Sequence, residues 1–111
     1  MKVLVVDDEM PARARLCALL QDLGGYQVCG EAANGREALQ LSEAEQPDVL
    51  LLDIRMPGMD GLEAARHLQL LEQPPAIIFT TAYNDYALQA FETHAVDYLL
   101  KPVRKERLED A

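Results

Sequence analysis

Between Asp48 and Gly61 the chain reads Asp-Val-Leu-Leu-Leu-Asp-Ile-Arg-Met-Pro-Gly-Met-Asp-Gly. An apolar run, Val49 to Leu52, ends in a carboxylate, Asp53. A Pro57-Gly58 turn follows, and Gly61 opens a helical pattern. An apolar run this short, bounded by turn signals, suits a strand buried on both faces, and such strands belong to parallel sheets covered by helices. Open parallel sheets bind ligands beyond the carboxyl ends of their strands. Asp53 stands at one such end, so the other strand ends decide what the chain does.

Lys2 to Val6 is a first short strand, ending at Asp7-Asp8. Pro11 marks the first turn of a helix in which Leu16, Leu20 and Leu23 recur at helical spacing, with Arg13 and Arg15 on its other side. Gly24-Gly25 ends it. Tyr26 to Ala33 reads as a weaker second strand, Asn34-Gly35 as a turn, and Arg36 to Gln46 as a second helix with Ala38, Leu41 and Ala44 inward. Pro47 stops that helix, Asp48 to Asp53 is the third strand, and Gly61 to Leu71 is a third helix with Leu62, Ala65 and Leu68 inward. Ala76 to Thr81 forms a fourth strand, Asp85 to Thr93 a fourth helix, and Val96 to Leu100 a fifth strand ending in Lys101-Pro102. Glu106 to Ala111 begins a fifth helix with Leu108 as its strong apolar anchor. Five strands alternating with helices predict an α/β, doubly wound, five-stranded parallel sheet with right-handed crossovers. The shortness of the last helix leads us to expect that residues 1–111 are one domain excised from a longer protein.

The 111 residues are 50% apolar, enough for one core. A net charge of -9 argues against direct nucleic-acid binding by this fragment and against a membrane-surface role. Met1-Lys2 leads straight into Val3-Leu-Val-Val6, too short for a secretory apolar region. Cys17 and Cys29 fit no metal or redox spacing and read as reduced, buried residues of a cytoplasmic protein.

Parallel strands deliver Asp7, Asp8, Asp53, the Thr80 and Thr81 hydroxyls and Lys101 to one sheet edge. Three carboxylates in one cleft repel each other unless a cation is present, and magnesium suits oxygen ligands that include a phosphate. Lysine and a threonine hydroxyl suit the remaining phosphate oxygens. The loop after the first strand, Asp-Asp-Glu-Met-Pro, is no glycine-rich phosphate loop, which disfavours a dinucleotide or nucleoside-triphosphate domain. A carboxylate can itself be phosphorylated, and Asp53, central among the strand ends, is the best nucleophile, with Asp7 and Asp8 holding metal.

Asp7-Asp8, Asp53-x-x-Met-Pro-Gly-Met-Asp-Gly61, Thr81-Ala82 and Lys101-Pro102, in this order, resemble the receiver domain of two-component response regulators, over the whole chain. Phe79-Thr-Thr-Ala-Tyr83, Tyr86-Ala-Leu-x-Ala-Phe91 and Ala95-Val-Asp-Tyr-Leu-Leu-Lys-Pro-Val103 look like the AlgR/LytR branch. The resemblance implies a flavodoxin-like, CheY-like sheet of order 2-1-3-4-5 and a LytTR-type DNA-binding domain beyond residue 111. It implies a sensor histidine kinase as phosphoryl donor to Asp53, and a module that catalyses only its own phosphorylation and dephosphorylation rather than an enzyme on outside substrates. Asp8, Asp7, Asp53 and the backbone carbonyl of Arg55 are then the magnesium ligands, Lys101 contacts the phosphoryl group, and Thr81 and Tyr98 are the switch pair. A cis bond at Lys101-Pro102 is likewise implied.

In that scheme phosphorylation draws the Thr81 hydroxyl inward and Tyr98 turns in. This remodels a face made by the fourth helix, fifth strand and fifth helix, where Thr93, His94, Asp97 and Arg104 are candidates for homodimer contacts and for signalling to an output domain. Asp60-Gly61 reads as a helix cap, and His67 and His94 as surface or helix-end residues. One rival is a magnesium-dependent phosphatase or phosphotransferase, which places a second aspartate two residues after its nucleophile; Arg55 holds that position here. The other is an interaction module that works without phosphate.

Overall fold

The computed structural model describes residues 1–82, 97–101, 103 and 108, with the backbone alone at 98 and 100. Their strands are β1 (Lys2–Val6), β2 (Gln27–Ala32), β3 (Val49–Asp53), β4 (Ala76–Thr81) and β5 (Asp97–Leu100), and their helices are α1 (Met10–Leu23), α2 (Gly35–Glu45) and α3 (Gly61–Leu68). All strand pairs are parallel, in the order β2-β1-β3-β4-β5. The expected fourth helix, Tyr83 and Tyr86, His94, Pro102 with its peptide bond, Arg104 and most of the fifth helix lie outside the described residues.

Strand periodicity explains why the central runs are wholly apolar. Leu4, Val6, Leu50, Leu52, Ile77 and Phe79 enter one core with Ala64, Ala65 and Leu68 of α3. Val3, Val5, Leu51 and Ile78 enter a second core with Leu16 and Leu20 of α1. Alternate residues thus face opposite layers, and beyond their half-buried first residues β1, β3 and β4 are buried on both faces. Leu108 is buried in the second core, as its anchoring role requires.

Three local readings change. The second helix does not face inward through Ala44, which is exposed; Gly35, Ala38 and Ser42 are its buried positions. Alanine is small enough to sit on either face, so it marked the stripe poorly. The third helix ends at Leu68 rather than Leu71, because the Leu70 and Leu71 amides turn to the carbonyls three residues back, those of His67 and Leu68. Leu71 still packs against the core. Cys17 and Cys29 are half-buried and free, and they pack into different cores on opposite faces of the sheet.

Side-chain caps set the helix starts that flank the sheet edge. Asn34 accepts from the Glu37 amide at 2.9 Å, while Glu37 accepts from Ala33 N–H at 2.9 Å, a reciprocal cap on α2. Asp60 accepts from the Glu63 amide at 2.8 Å and caps α3, as its position before Gly61 predicted. His67 is exposed in the last turn of α3. Among the described residues, no helix is long and apolar enough to cross a membrane.

Candidate functional site

The carboxyl ends of β1 and β3 are neighbours in the sheet, so Asp7, Asp8 and Asp53 converge. One carboxylate oxygen from each lies within 4.8 Å of the others. Asp7 is 0% exposed and Asp53 4%, whereas Asp8 is open to solvent. Two of the three charges are therefore out of water, where mutual repulsion is strongest.

Lys101 answers them from the end of β5. Its ammonium lies 2.7 Å from Asp7 Oδ2 and 3.3 Å from Asp53 Oδ1. The two Asp7 oxygens have separate tasks. Oδ1 accepts from the Glu9 amide at 2.9 Å and shapes the entry to α1, while Oδ2 has no hydrogen-bond donor beyond the ion pair. Burial, and then the Asp7 charge, push the Asp53 carboxyl up from 3.8 to about 7, against the pull of Lys101. Burial alone would lower the Lys101 ammonium, but the bond to Asp7 and the charges of Asp53 and Asp7 raise it above its ordinary value.

The loop after β3 is folded tightly against the site. The Ile54 amide donates to Thr80 O at 3.2 Å, and the Gly61 amide donates back to Ile54 O at 2.7 Å. A Cβ on Gly61 would run into the Asp53 carbonyl oxygen and stand 2.8 Å from Ile54 Cα, so glycine is the residue that lets α3 begin there. Gly58 has φ +75, a left-handed turn conformation that glycine adopts without strain. Exposed Arg55 lines a hollow with Ile54, Met56 and Asp60.

Of the two hydroxyls, Thr80 is the register partner of Asp53, is wholly buried, and has no partner for Oγ1. Thr81 is 1% exposed at the end of β4, and its carbonyl accepts from the Lys101 amide at 2.7 Å. Tyr98 is the register partner of Phe79; its side chain lies outside the described residues, and Asp97 is half-buried.

The structure adds two residues that the sequence pattern placed on the solvent side. Arg13 donates to the Asp7 carbonyl at 2.7 Å, and Arg15 donates twice to the Val103 carbonyl, at 3.3 and 2.9 Å. Both work at the site edge. Their helical spacing from the leucines held no sign of this, because their acceptors are main-chain atoms.

The donor set fits a hard divalent cation. Three carboxylates outnumber the one ammonium paired with them, all three offer oxygen ligands within 4.8 Å of one another, and the buried Asp7 Oδ2 has no partner but that ammonium.

Comparison with known proteins agrees with this geometry. Residues 3–111 match the family model of the response regulator receiver domain. The chain is 54% identical over 112 residues to the positive alginate biosynthesis regulatory protein of Pseudomonas aeruginosa, covering 100% of this chain and 45% of that protein. It is 43% identical over 111 residues to the transcriptional regulatory protein LytR of Staphylococcus aureus, again covering 100% of this chain and 45% of the relative. The response regulatory domain of mrkE from Klebsiella pneumoniae superposes with a TM-score of 0.91 at 33% identity, covering 99% of this chain and 90% of that one. The chain thus spans about half the length of the curated relatives it matches. It belongs to the response regulator receiver family, on the AlgR/LytR side.

Proposed function

We propose that this receiver domain accepts a phosphoryl group from a sensor histidine kinase onto Asp53, and that the phosphorylated state governs an attached transcription-regulating domain. The observation that carries the reading is the Lys101 ammonium held between Asp7 and Asp53 inside the acidic cluster. A buried nucleophile thereby has a cation already placed for the oxygens of an incoming phosphoryl group.

In the proposed transfer, an Asp53 carboxylate oxygen attacks the phosphorus of the kinase phosphohistidine. The P–N bond breaks, its electron pair stays on the imidazole nitrogen, and that nitrogen takes a proton. Lys101 neutralises charge on the phosphoryl oxygens. Asp7, Asp8, Asp53 and the backbone carbonyl of Arg55 would hold magnesium, which supplies charge neutralisation between the carboxylates and the phosphoryl group. Dephosphorylation reverses the site to its carboxylate when water attacks the phosphorus and the acyl phosphate bond breaks. The domain is then a stoichiometric switch.

Thr81 supplies the hydroxyl that follows the phosphoryl group, and Tyr98 the aromatic that answers it. The face of the fourth helix, β5 and the fifth helix transmits the change, to an output domain or a second copy. A LytTR-type DNA-binding domain beyond residue 111 would carry out transcription control. A cytoplasmic setting accords with two free thiols.

The test is intact mass after incubation with acetyl phosphate, with and without magnesium, on wild type and Asp53→Asn. A metal-dependent gain of one phosphoryl group, absent in the variant, supports the reading. Turnover of free phosphate esters would favour the phosphatase alternative, and unchanged partner binding by Asp53→Asn would favour the phosphate-independent one.

A further inference from the structure

The two ends of the Asp7–Lys101 ion pair belong to strands that do not touch. β1 and β5 are separated by β3 and β4, a span of roughly 14 Å at the usual strand spacing. The sheet ladder passes position from one to the other only through two intermediate strands. Lys101 and Asp7 close this gap from its two sides, and the Lys101 tip arrives 2.7 Å from Asp7 Oδ2.

One helix grips the backbone on both sides of that gap. Arg13 of α1 donates to the carbonyl of Asp7 itself at 2.7 Å, and its Nε stands 3.4 Å from Glu31 in β2. Arg15 of the same helix donates from Nε and Nη2 to the carbonyl of Val103, two residues beyond Lys101. A guanidinium that places two N–H groups on one carbonyl restrains direction as well as distance, which a lysine ammonium does not. The Val103 side chain is buried in the second core and the Lys101 amide is held by the Thr81 carbonyl, so the Arg15 grip adds direction to a segment that is already anchored. Arg15, Lys101, Ala12, Leu16, Ala82 and Val103 line one groove, so the Arg15 side chain and the Lys101 stem share a wall of the site.

Resting on the reading that Asp53 is the phosphoryl acceptor, we infer that Arg15 is a positioning residue for Lys101. Its grip on Val103 sets where the Lys101 ammonium stands relative to Asp7 and Asp53, while Arg13 fixes the Asp7 end from the same helix. α1 is then the brace that makes two non-adjacent strands behave as one site.

A pair of double-mutant cycles tests this. Arg15→Ala and Arg15→Lys are made in the wild-type and in the Lys101→Ala backgrounds. The first cycle reads the initial rate of phosphoryl gain from acetyl phosphate in magnesium. The second reads urea midpoints without magnesium. Arg15→Ala is expected to slow phosphorylation roughly 10- to 100-fold in the wild-type background, as a displaced catalytic group does. Arg15→Lys recovers part of the rate. In the Lys101→Ala background the same Arg15 change alters the rate less than about twofold, and the urea midpoints are likewise non-additive. Equal losses in both backgrounds would make Arg15 a merely structural residue and overturn the inference, as would an undiminished rate in Arg15→Ala. If the wild type itself gains no phosphoryl group, the acceptor reading falls on its own. The midpoint cycle then decides the brace alone: additive midpoints refute it, and non-additive midpoints uphold it.

Discussion

Replacing Asp53 by asparagine should stabilise the metal-free domain, and more so as pH rises. Asp53 is 4% exposed and shares its surroundings with the buried Asp7. Its carboxyl is raised from 3.8 to about 7, by burial first and by Asp7 second. A carboxyl raised in the folded state favours folding while protonated, and that contribution is lost as pH climbs from the unfolded value towards the folded one. The shift makes ionisation about 4 kcal/mol more costly in the folded chain than in the unfolded chain, all of it expressed by pH 8. At pH 5 the folded carboxyl is still protonated while the unfolded one is ionised, leaving about 2 kcal/mol of the penalty. Asparagine carries no such penalty at either pH, and its carbonyl can still accept from Lys101. The assay is urea denaturation of wild type and Asp53→Asn in EDTA at pH 5, 6, 7 and 8. The variant should be more stable at pH 8, and its lead should widen by roughly 2 to 3 kcal/mol between pH 5 and pH 8. Magnesium should narrow the lead, since it binds the folded wild type preferentially. A lead that stays constant across this range, or a wild type that is the more stable at pH 8 in EDTA, would refute the argument from burial and the Asp7 charge.

Lys101→Met removes the cation that pairs with both Asp7 and Asp53. Stranding the buried carboxylates should lower stability by about 3 kcal/mol at pH 8 without magnesium, read as a fall in urea midpoint, and phosphoryl gain by mass should slow sharply. Gly61→Ala drives a methyl group into the backbone of Asp53 and Ile54. It should cost about 2 kcal/mol or more through overpacking and impair phosphorylation as well, checked by thermal melting and intact mass. Thr80→Val deletes a buried hydroxyl that has no partner. It should leave stability unchanged or raise it by up to about 1 kcal/mol, and a loss beyond about 1 kcal/mol in denaturation would show that the hydroxyl has a partner in solution.

Much of the architecture was legible because its causes are local. Val49 to Leu52 and Ile77 to Phe79 have no polar alternation, and that marks strands covered on both faces. Asp60 and Gly61 announce a helix start through side-chain and backbone chemistry within three residues, while Asn34, read as a turn residue, proves to cap α2. Where local signals were ambiguous, the reading slipped. Ala44 could occupy either face of α2, and Leu71 looked like a further helical turn although it packs from outside the helix. The cluster of Asp7, Asp8, Asp53 and Lys101 could be named in advance because parallel strands bring all their carboxyl ends to one edge, so strand assignment alone gathers them.

By itself the sequence determined which strands form, that they run parallel, and which chemical groups reach the shared edge. Those follow from apolar runs, turn residues and chain direction. Only the tertiary structure decided how those groups divide among partners. It placed Lys101 closer to Asp7 than to Asp53, buried two of the three carboxylates while leaving Asp8 in water, and raised the Asp53 carboxyl to about 7. It also sent Arg15 to a carbonyl 88 residues away in the chain. Such choices depend on desolvation and on distances between segments remote in sequence, and main-chain acceptors carry no residue identity for a pattern to reveal.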